Sequence, residues 1–443
     1  MSMIQNGLSG LKASQILLDT ASNNIANVNT PGYSRQEGVL VSRQNGSSNL
    51  SPGSGVEVSN LRRINDQYTQ AALWRAQSQS SYYTEMNQMF SQAEGILGSE
   101  GLSVSEGIDN LFAALNSAAT DPQTIATRQQ VIAGADNLAK RFNQLSISLD
   151  LQRTQITEQA DGIVKGLNEN LKTFAMLNEE VVKLGASGGN TSMLLDQRDV
   201  VLKEISEQVQ VTARWNSDGR IDLSLTSGEP LVLGGRSATL SLSGSNLTST
   251  MGGQVFNVRE AGSQLGALIE FRDTRLADIR SSLDTQAADL ADQFNAQLNA
   301  GYDLSLNPGA NLFSYDPADP AGSLSTTALA PEELAFIGDN SGTPAGGPGD
   351  NTNLLSVIAL KDNFYDDYTN LLSKVAIETK RVSTESEANR SLLATAQAKR
   401  DNLSAVNQDE EAMNLVKFTQ AYQANAKVIT TSSQIFETLL RMF

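Results

Sequence analysis

The last part of the chain, residues 408–443, carries a regular apolar pattern. Apolar side chains recur at alternating steps of three and four residues, so on a helix they form one narrow seam. No Gly or Pro interrupts this run, and its acidic start at 409–411 suits the positive end of a helix dipole. A single helix cannot bury its own stripe, so the seam predicts a partner helix. The seam consists of Leu415, Phe418, Tyr422, Ile429, Phe436, Leu439 and Phe443, with Asn425 and Ser432 as small polar breaks.

The beginning of the chain carries a seam of the same kind. Apolar residues recur with the same spacing over the first predicted helix, residues 3 to about 28. The termini of one domain often lie close together, and two seamed helices can bury their stripes against each other. We therefore expect the first and last helices to pair as a coiled coil. The N-terminal seam consists of Ile4, Leu8, Leu11, Leu18 and Ile25, with Gln15 and Ser22 as polar breaks.

Between the two ends, most of the chain has a helical pattern. The longest stretch runs from about 123 to 184, and others are predicted at 63–97, 265–299 and 354–405. Strict alternation of apolar and polar residues replaces this pattern at 209–215 and 220–225, and the turn residues between them predict a β-hairpin. Further short strands are predicted up to residue 258.

These patterns predict a mainly α fold with a β insertion. Its parts are paired N- and C-terminal coiled-coil helices, a long helical rod domain and a small β-rich outer domain. The predicted boundaries are 1–35 and 405–443 for the terminal inner domain, 36–207, 261–302 and 351–404 for the helical rod domain, 208–260 for the β-rich domain, and 303–350 for an acidic, irregular outer loop.

Composition narrows the function. A net charge of −17 opposes phosphate binding, so no nucleic-acid partner is expected. The sequence has neither His nor Cys, which removes the imidazole base, the thiolate nucleophile and the usual zinc ligands. No run of eighteen apolar residues occurs, so no membrane insertion is expected. The N-terminus has no basic residue before Lys12 and no apolar core, which argues against a cleavable secretory signal.

Two local motifs resemble functional sites, one a hydrolase nucleophile and the other a calcium loop, but the sequence around each argues against that function. The glycine-flanked Ser187 matches the nucleophile elbow of hydrolases, yet a helix precedes it and no histidine exists as a base, so a helix-ending loop is predicted. Asp303, Asp316 and Asp319 lie in an acidic segment, but their spacing fits no EF-hand loop. We therefore predict a protein that is not an enzyme and needs no cofactor or metal.

Two segments carry a resemblance to a known family. Residues 22–33, SNNIANVNTPGY, resemble the N-terminal signature shared by bacterial flagellar rod, hook and hook-associated proteins, and 407–429 resemble the C-terminal signature of the same group. The long helices and the Asp-Gln-Arg-Asp segment at 196–199 are most similar to the hook-associated protein 1 family, over nearly the whole chain. The resemblance implies an assembly interface that includes the two seams and the signature residues Asn24, Asn27, Pro31, Gly32 and Tyr33.

The resemblance further implies a structural adaptor that joins the flagellar hook to the filament. Its partners would be other copies of itself in a ring, the hook protein, and a second junction protein that leads on to flagellin. It implies an extracellular location at the hook-filament junction, reached through the flagellar type III apparatus without a cleaved signal, and an export chaperone that binds the C-terminal segment.

Other functions remain open at this level. Another flagellar axial protein, such as a hook, rod or flagellin-like subunit, shares the plan of paired terminal helices. The turn at 29–33 argues against flagellin, and the long helices argue against hook protein. A cell-wall-acting hydrolase is a remote alternative, because no convergent pair of carboxylates can be named.

Overall fold

The computed structural model describes residues 2–43 and 53–442 and is predominantly helical. The main helices are α1 (Ser2–Ala26), α2 (Gln67–Leu97), α3 (Val104–Thr120), α4 (Ile125–Ala186), α5 (Ser192–Gln208), α6 (Ser263–Glu270), α7 (Leu276–Asn299), α8 (Pro320–Ser323), α9 (Thr352–Ile358), α10 (Lys361–Ser404) and α11 (Gln408–Arg441). The strands are β1 (Gln36–Ser42), β2 (Val56–Arg63), β3 (Val211–Trp215), β4 (Ile221–Leu225), β5 (Pro230–Leu233), β6 (Arg236–Ser237), β7 (Thr239–Ser243), β8 (Asn246–Met251), β9 (Gln254–Asn257), β10 (Phe313–Ser314) and β11 (Ser325–Thr326).

This architecture confirms the predicted fold class. Both ends of the chain are long helices, the middle is mainly helical, and a small strand-rich insertion lies between α5 and α6. The described residues form two compact units. The first contains 1–81, 164–263 and 389–443, and the second contains 82–163 and 264–388. The boundaries of the four predicted domains remain predictions.

The first unit contains the terminal helices and the β insertion. The insertion has two antiparallel sheets with strand orders β3-β4-β5-β6 and β7-β8-β9. In the first sheet Val211 pairs with Leu225 and Trp215 with Ile221, which places Ile221, Leu223 and Leu225 on the buried face. The indole ring of Trp215 stacks on that of Trp74 with 5.9 Å between ring centroids. A separate hairpin, β1 with β2, packs on α1.

The second unit has an aromatic core and a buried cation. The ring centroid of Phe294 lies 5.8 Å from that of Phe112, 5.6 Å from that of Phe313 and 5.7 Å from that of Phe364. The fully buried guanidinium of Arg128 lies 4.4 Å from the centroid of the Phe336 ring and donates to the carbonyls of Pro122 and Leu334. These contacts fix the irregular segment that follows α7.

The structure corrects the expectation of an exposed acidic loop at 303–350. Much of the part up to residue 338 belongs to the core of the second unit, where Leu312, Phe313, Leu324, Phe336 and Ile337 are buried. Residues 339–349 are the largely exposed part. The acids and prolines predict a solvent-exposed segment, but the short apolar runs between the prolines are buried and hold the segment in place.

Other differences are local. The predicted helix at 265–299 is interrupted by a π-helical turn at Phe271–Arg275, and the predicted helix at 354–405 breaks after Ile358. The glycine-flanked Ser187 follows the end of α4, where Gly188 has φ +76 and the Gly189 N–H donates to the Leu184 carbonyl at 2.9 Å. This turn ends the helix, as the sequence predicted.

Candidate assembly interface

The two ends of the chain pack against each other as antiparallel helices. Near the start of α1, Gly7 faces Ile429, and Gly10 faces Asn425. Near its end, Asn24 contacts Glu411 at the start of α11. A methyl group placed at Gly10 would lie 2.5 Å from Oδ1 of Asn425, so the absence of a side chain allows the two backbones to approach closely.

The buried stripe of α1 is not the predicted seam. Six of its eight members lie one residue before a position of the predicted seam, which rotates the buried face by about 100°. Of the predicted seam, Ile4 and Leu8 are exposed, and Leu11, Leu18 and Ile25 are half-buried. The heptad spacing predicts large apolar residues in the contact, but the close approach of two helices favours small ones. The buried positions of α1, which pack on α11 and on the β1-β2 hairpin, are Gly7, Gly10, Ala13, Ser14, Leu17, Thr20, Ala21 and Asn24.

The predicted seam of α11 is partly covered. Leu415, Phe418, Tyr422 and Ile429 are half-buried. Towards the end of the helix Phe436 is 57% and Leu439 49% exposed. Phe443 lies outside the described residues. A second apolar group on α11, which includes Met413, Val416, Ile435 and Leu440, is exposed as well.

One buried asparagine on α1, Asn24, holds the turn of the N-terminal signature against the helix. Asn24 pairs with both backbone groups of Gln36, because its Nδ2 donates to the carbonyl at 2.9 Å and its Oδ1 accepts from the N–H at 3.0 Å. The Tyr33 hydroxyl donates to the same Oδ1 at 2.9 Å. Burial, together with the charges of Asp196 and Glu411, raises the pKa of Tyr33 to about 12, so the phenol stays protonated as a donor.

The start of α11 joins this arrangement through a buried carboxylate. Arg35 Nε donates to Glu411 Oε1 at 2.8 Å, and Asn24 Nδ2 donates to Glu411 Oε2 at 3.2 Å. The Glu411 side chain is only 3% exposed. We call Asn24, Tyr33, Arg35, Gln36 and Glu411 the terminal clasp. It connects the end of α1, the signature turn and the first turn of α11.

The remaining signature residues shape the turn. Asn27, the residue after α1, donates from its side chain to the Asn23 carbonyl in the last turn of the helix, and Pro31 is exposed. Gly32 has φ +79, and a Cβ there would collide with Val200 of α5. Glycine is therefore required at this position both by backbone conformation and by space.

The Asp-Gln-Arg-Asp segment lies on α5 and faces two ways. Asp196 and Asp199 both pair with the buried guanidinium of Arg63 at 2.8 and 2.6 Å. Arg198 donates to Asn178 Oδ1 at 3.1 Å and to the carbonyl of Gly219 at 2.7 Å. The segment therefore fixes the β1-β2 hairpin on one side and the turn of the β insertion on the other.

The candidate metal ligands are used otherwise. Asp303 accepts from the N–H and side chain of Asn307, and Asp319 caps α8 through the Gly322 N–H. Within residues 2–43 and 53–442 no three His, Cys, Asp or Glu side chains group as metal ligands. None of the helices that the structure describes is both long enough and apolar enough to cross a membrane.

Sequence reasoning missed several residues that hold this interface together. Gly7 and Gly10 carry no hydrophobic signal, and the acidic start of α11 predicts only a favourable interaction with the helix dipole. Arg35 and Glu411 are separated by most of the chain, so no local pattern pairs them. The spacing of small residues on α1, at steps of three and four, was the one signal available for the true contact face.

These features define a class of protein. Antiparallel terminal helices, closed by a polar cluster and still exposing apolar side chains, are typical of a structural subunit that assembles with other subunits. The family model described as the flagellar hook-associated protein FlgK helical domain matches residues 90–313, half of the chain. Models of flagellar basal body rod proteins match the two ends, at 4–33 and 399–442.

The chain belongs to the family of the flagellar hook-associated protein FlgK, whose members are structural proteins of the flagellum and not enzymes. Flagellar hook-associated protein 1 of Salmonella typhimurium is 27% identical, and that of Escherichia coli 26%, over the full length of both chains. The Bacillus subtilis protein of this name is 23% identical over 97% of this chain and 96% of its own.

A solved structure shows the same fold. The flagellar hook junction protein FlgK from Burkholderia pseudomallei matches with a TM-score of 0.64 and 16% identity, over 75% of this chain and 99% of that one.

Proposed function

We propose that this chain joins the flagellar hook to the filament as a ring of subunits within the axial tube. The observation that carries the proposal is the exposed apolar surface on both paired terminal helices, which includes Ile4 and Leu8 on α1 and Phe436 and Leu440 on α11. Such surface on a paired helix is typical of a contact with neighbouring subunits. The full-length relatives named as hook-associated protein 1 support the same role.

The energetics favour assembly through many repeated contacts. Burying a Leu- or Phe-sized side chain contributes roughly 1.5–3 kcal/mol, whereas association costs about 4–15 kcal/mol. A few side chains per contact therefore give only a weak pairwise affinity. A closed ring, in which each subunit contacts two neighbours, adds such contacts together, and this allows assembly in a lattice without stable dimers in solution.

We assign the predicted regions to layers on the same basis. The terminal pair, predicted as 1–35 and 405–443, would line the axial channel, the helical regions would form the next shell, and the β-rich region would face outward. The hook protein would be the neighbour on one side and a second junction protein, followed by flagellin, on the other. Export through the flagellar type III apparatus, with a chaperone on the segment from Leu415 to the C-terminus, completes the proposal.

Deletion of the gene tests the function directly. The expected result is cells with bare hooks and with flagellin shed into the medium as monomer, seen by electron microscopy and by an assay of the medium. Normal filaments would contradict a junction role. Loss of the hooks themselves would favour the second candidate, a rod or hook subunit, which the matches of both chain ends to rod-protein models make the main competitor.

A further inference from the structure

The packing of α1 on α11 contributes little apolar burial from the α1 side. Of the eight buried residues of α1, only Leu17 has a large apolar side chain, and the others are glycine, alanine or polar residues. Apolar burial scales with the area removed from water. Another contact must therefore select this pairing over the other helical surfaces of the chain.

The terminal clasp supplies such a contact. Glu411 is buried as a carboxylate, and its two oxygens are divided between Arg35 and Asn24. A buried charge is costly unless it is paired and hydrogen-bonded, so α11 can hold this side chain in the interior only where both partners are in place. Both partners are in place only when the signature turn has folded back onto α1, because Asn24 is also bonded to Gln36 and Tyr33.

The clasp is also tied to the preceding helix. The backbone N–H of Arg35 donates to the carbonyl of Ser404, the last residue of α10, at 2.9 Å. The side chain and the main chain of Arg35 thus hold opposite sides of the short connection between α10 and α11. This places the Glu411 carboxylate at a fixed distance from the turn.

We propose that Glu411 is the positioning residue that docks the C-terminal helix onto the N-terminal turn, and that loss of its charge releases α1 from α11. The apolar seam then adds strength to a pairing that the clasp selects. This inference concerns the folded chain by itself and does not depend on the proposed role in the flagellum.

The neighbouring residue provides a matched control. Glu410 also pairs with Arg35, at 3.2 Å, but its side chain is 51% exposed. An exposed ion pair contributes little because water replaces it. The two glutamates thus share a partner, a helix and a charge, and differ mainly in burial.

Trypsin cleavage after Lys12 measures the pairing. Lys12 is exposed, but the following Ala13 is buried, so cleavage requires α1 to leave its site. We expect Glu411→Gln to be cleaved there about tenfold faster than the native chain, as the loss of a buried hydrogen bond to a charged group predicts. Glu410→Gln should stay within about twofold of the native rate. Equal rates for the native chain and Glu411→Gln would overturn the proposal, as would equal acceleration by both variants.

A coupling measurement separates positioning from general destabilisation. Arg35→Met should accelerate cleavage, and adding Glu411→Gln to it should cause no further increase, because the second change removes a group whose partner has already gone. Additive effects would mean that the two residues act separately, and would reject the clasp. If Glu411→Gln does not fold, Arg35→Lys replaces it. That variant keeps the positive charge but loses the guanidinium group that donates to Glu411. It must also accelerate cleavage for the proposal to stand.

Discussion

The side chain of Asn178 on α4 pairs with both backbone groups of Ile221 on β4. Its Nδ2 donates to the Ile221 carbonyl at 2.8 Å and its Oδ1 accepts from the Ile221 N–H at 3.1 Å. The side-chain amide thus makes the pair of hydrogen bonds that a neighbouring strand would otherwise make. Three other helical asparagines bind an extended segment in the same way, namely Asn24 with Gln36, Asn168 with Leu240, and Asn295 with Phe313.

Replacing Asn178 with Leu should destabilise the first unit. The substitution leaves the N–H and carbonyl of Ile221 and the guanidinium of Arg198 without this partner, and each buried unsatisfied group costs about 1–3 kcal/mol. We expect a loss of about 3 kcal/mol in the free energy of unfolding. Urea denaturation followed by tryptophan fluorescence measures it, because Trp74 and Trp215, the two tryptophans of the chain, both lie in this unit.

Asn402→Leu is the control for this prediction. Asn402 lies on α10 in the same unit and is exposed, so its replacement uncovers no buried backbone group. A change below about 1 kcal/mol is expected. An Asn178→Leu chain as stable as the native one would show that the strand-like pairing contributes nothing.

The asparagines show why part of this structure could not be predicted. On a helical wheel Asn178 and Asn168 are only polar interruptions of an apolar face, since their partners are backbone groups more than forty residues away. The length of α4, the β-hairpin at Val211–Leu225 and the pairing of the two ends followed from local periodicity. Periodicity does not encode which backbone a side-chain amide will meet.

The contact face of α1 is a second feature that periodicity alone does not determine. A heptad spacing is present in two neighbouring stripes, one apolar at Leu8, Leu11 and Leu18, and one of small residues at Gly7, Gly10 and Ser14. Hydrophobicity selected the first, whereas the structure uses the second. The half-exposed apolar stripe remains available for contacts with other subunits. For this reason it supports a function in assembly.

Gly10→Leu should separate the terminal helices. A Cβ at this position already lies 2.5 Å from Asn425, and the larger side chain cannot be placed without moving α11. We expect loss of the α1–α11 contact, measured as a longer distance between spin labels at Asp19→Cys and Gln420→Cys. Both sites are exposed, and the native sequence has no cysteine.

The same substitution at Gly162 is the control for steric size. Nothing lies within 4 Å of a Cβ placed there. Gly162→Leu should leave the label distance unchanged and, because it removes a helical glycine, should slightly stabilise α4. An unaltered distance in Gly10→Leu would mean that the close approach at Gly10 is not needed for pairing.

Phe436→Asp should abolish assembly without unfolding the subunit. This side chain is 57% exposed in the single chain, so a charge there meets water in the monomer but would be buried in a contact between subunits. The expected result is loss of motility with a native circular dichroism spectrum and melting temperature. Gln434→Asp introduces the same charge at an exposed polar position two residues earlier and should remain motile. Motile Phe436→Asp cells would remove this part of α11 from the proposed interface.

Stability should depend on pH through Asp196. Burial raises the pKa of this carboxyl from 3.8 to about 6, against the opposing effects of the Arg63 charge and the Ser34 hydrogen bond. The folded chain therefore binds a proton that the unfolded chain releases between these two values. By linkage, this group's contribution to the free energy of unfolding is greatest below about pH 4 and is lost as the pH rises through about 6.

Asp196→Asn mimics the protonated form, so urea midpoints measured between pH 4 and 7 should fall less steeply with pH than in the native chain. Glu57→Gln, at an exposed ion pair with Arg43, should keep the native slope. If Asp196→Asn also keeps it, the buried carboxyl does not titrate in this range and its charge must be held by Arg63 throughout.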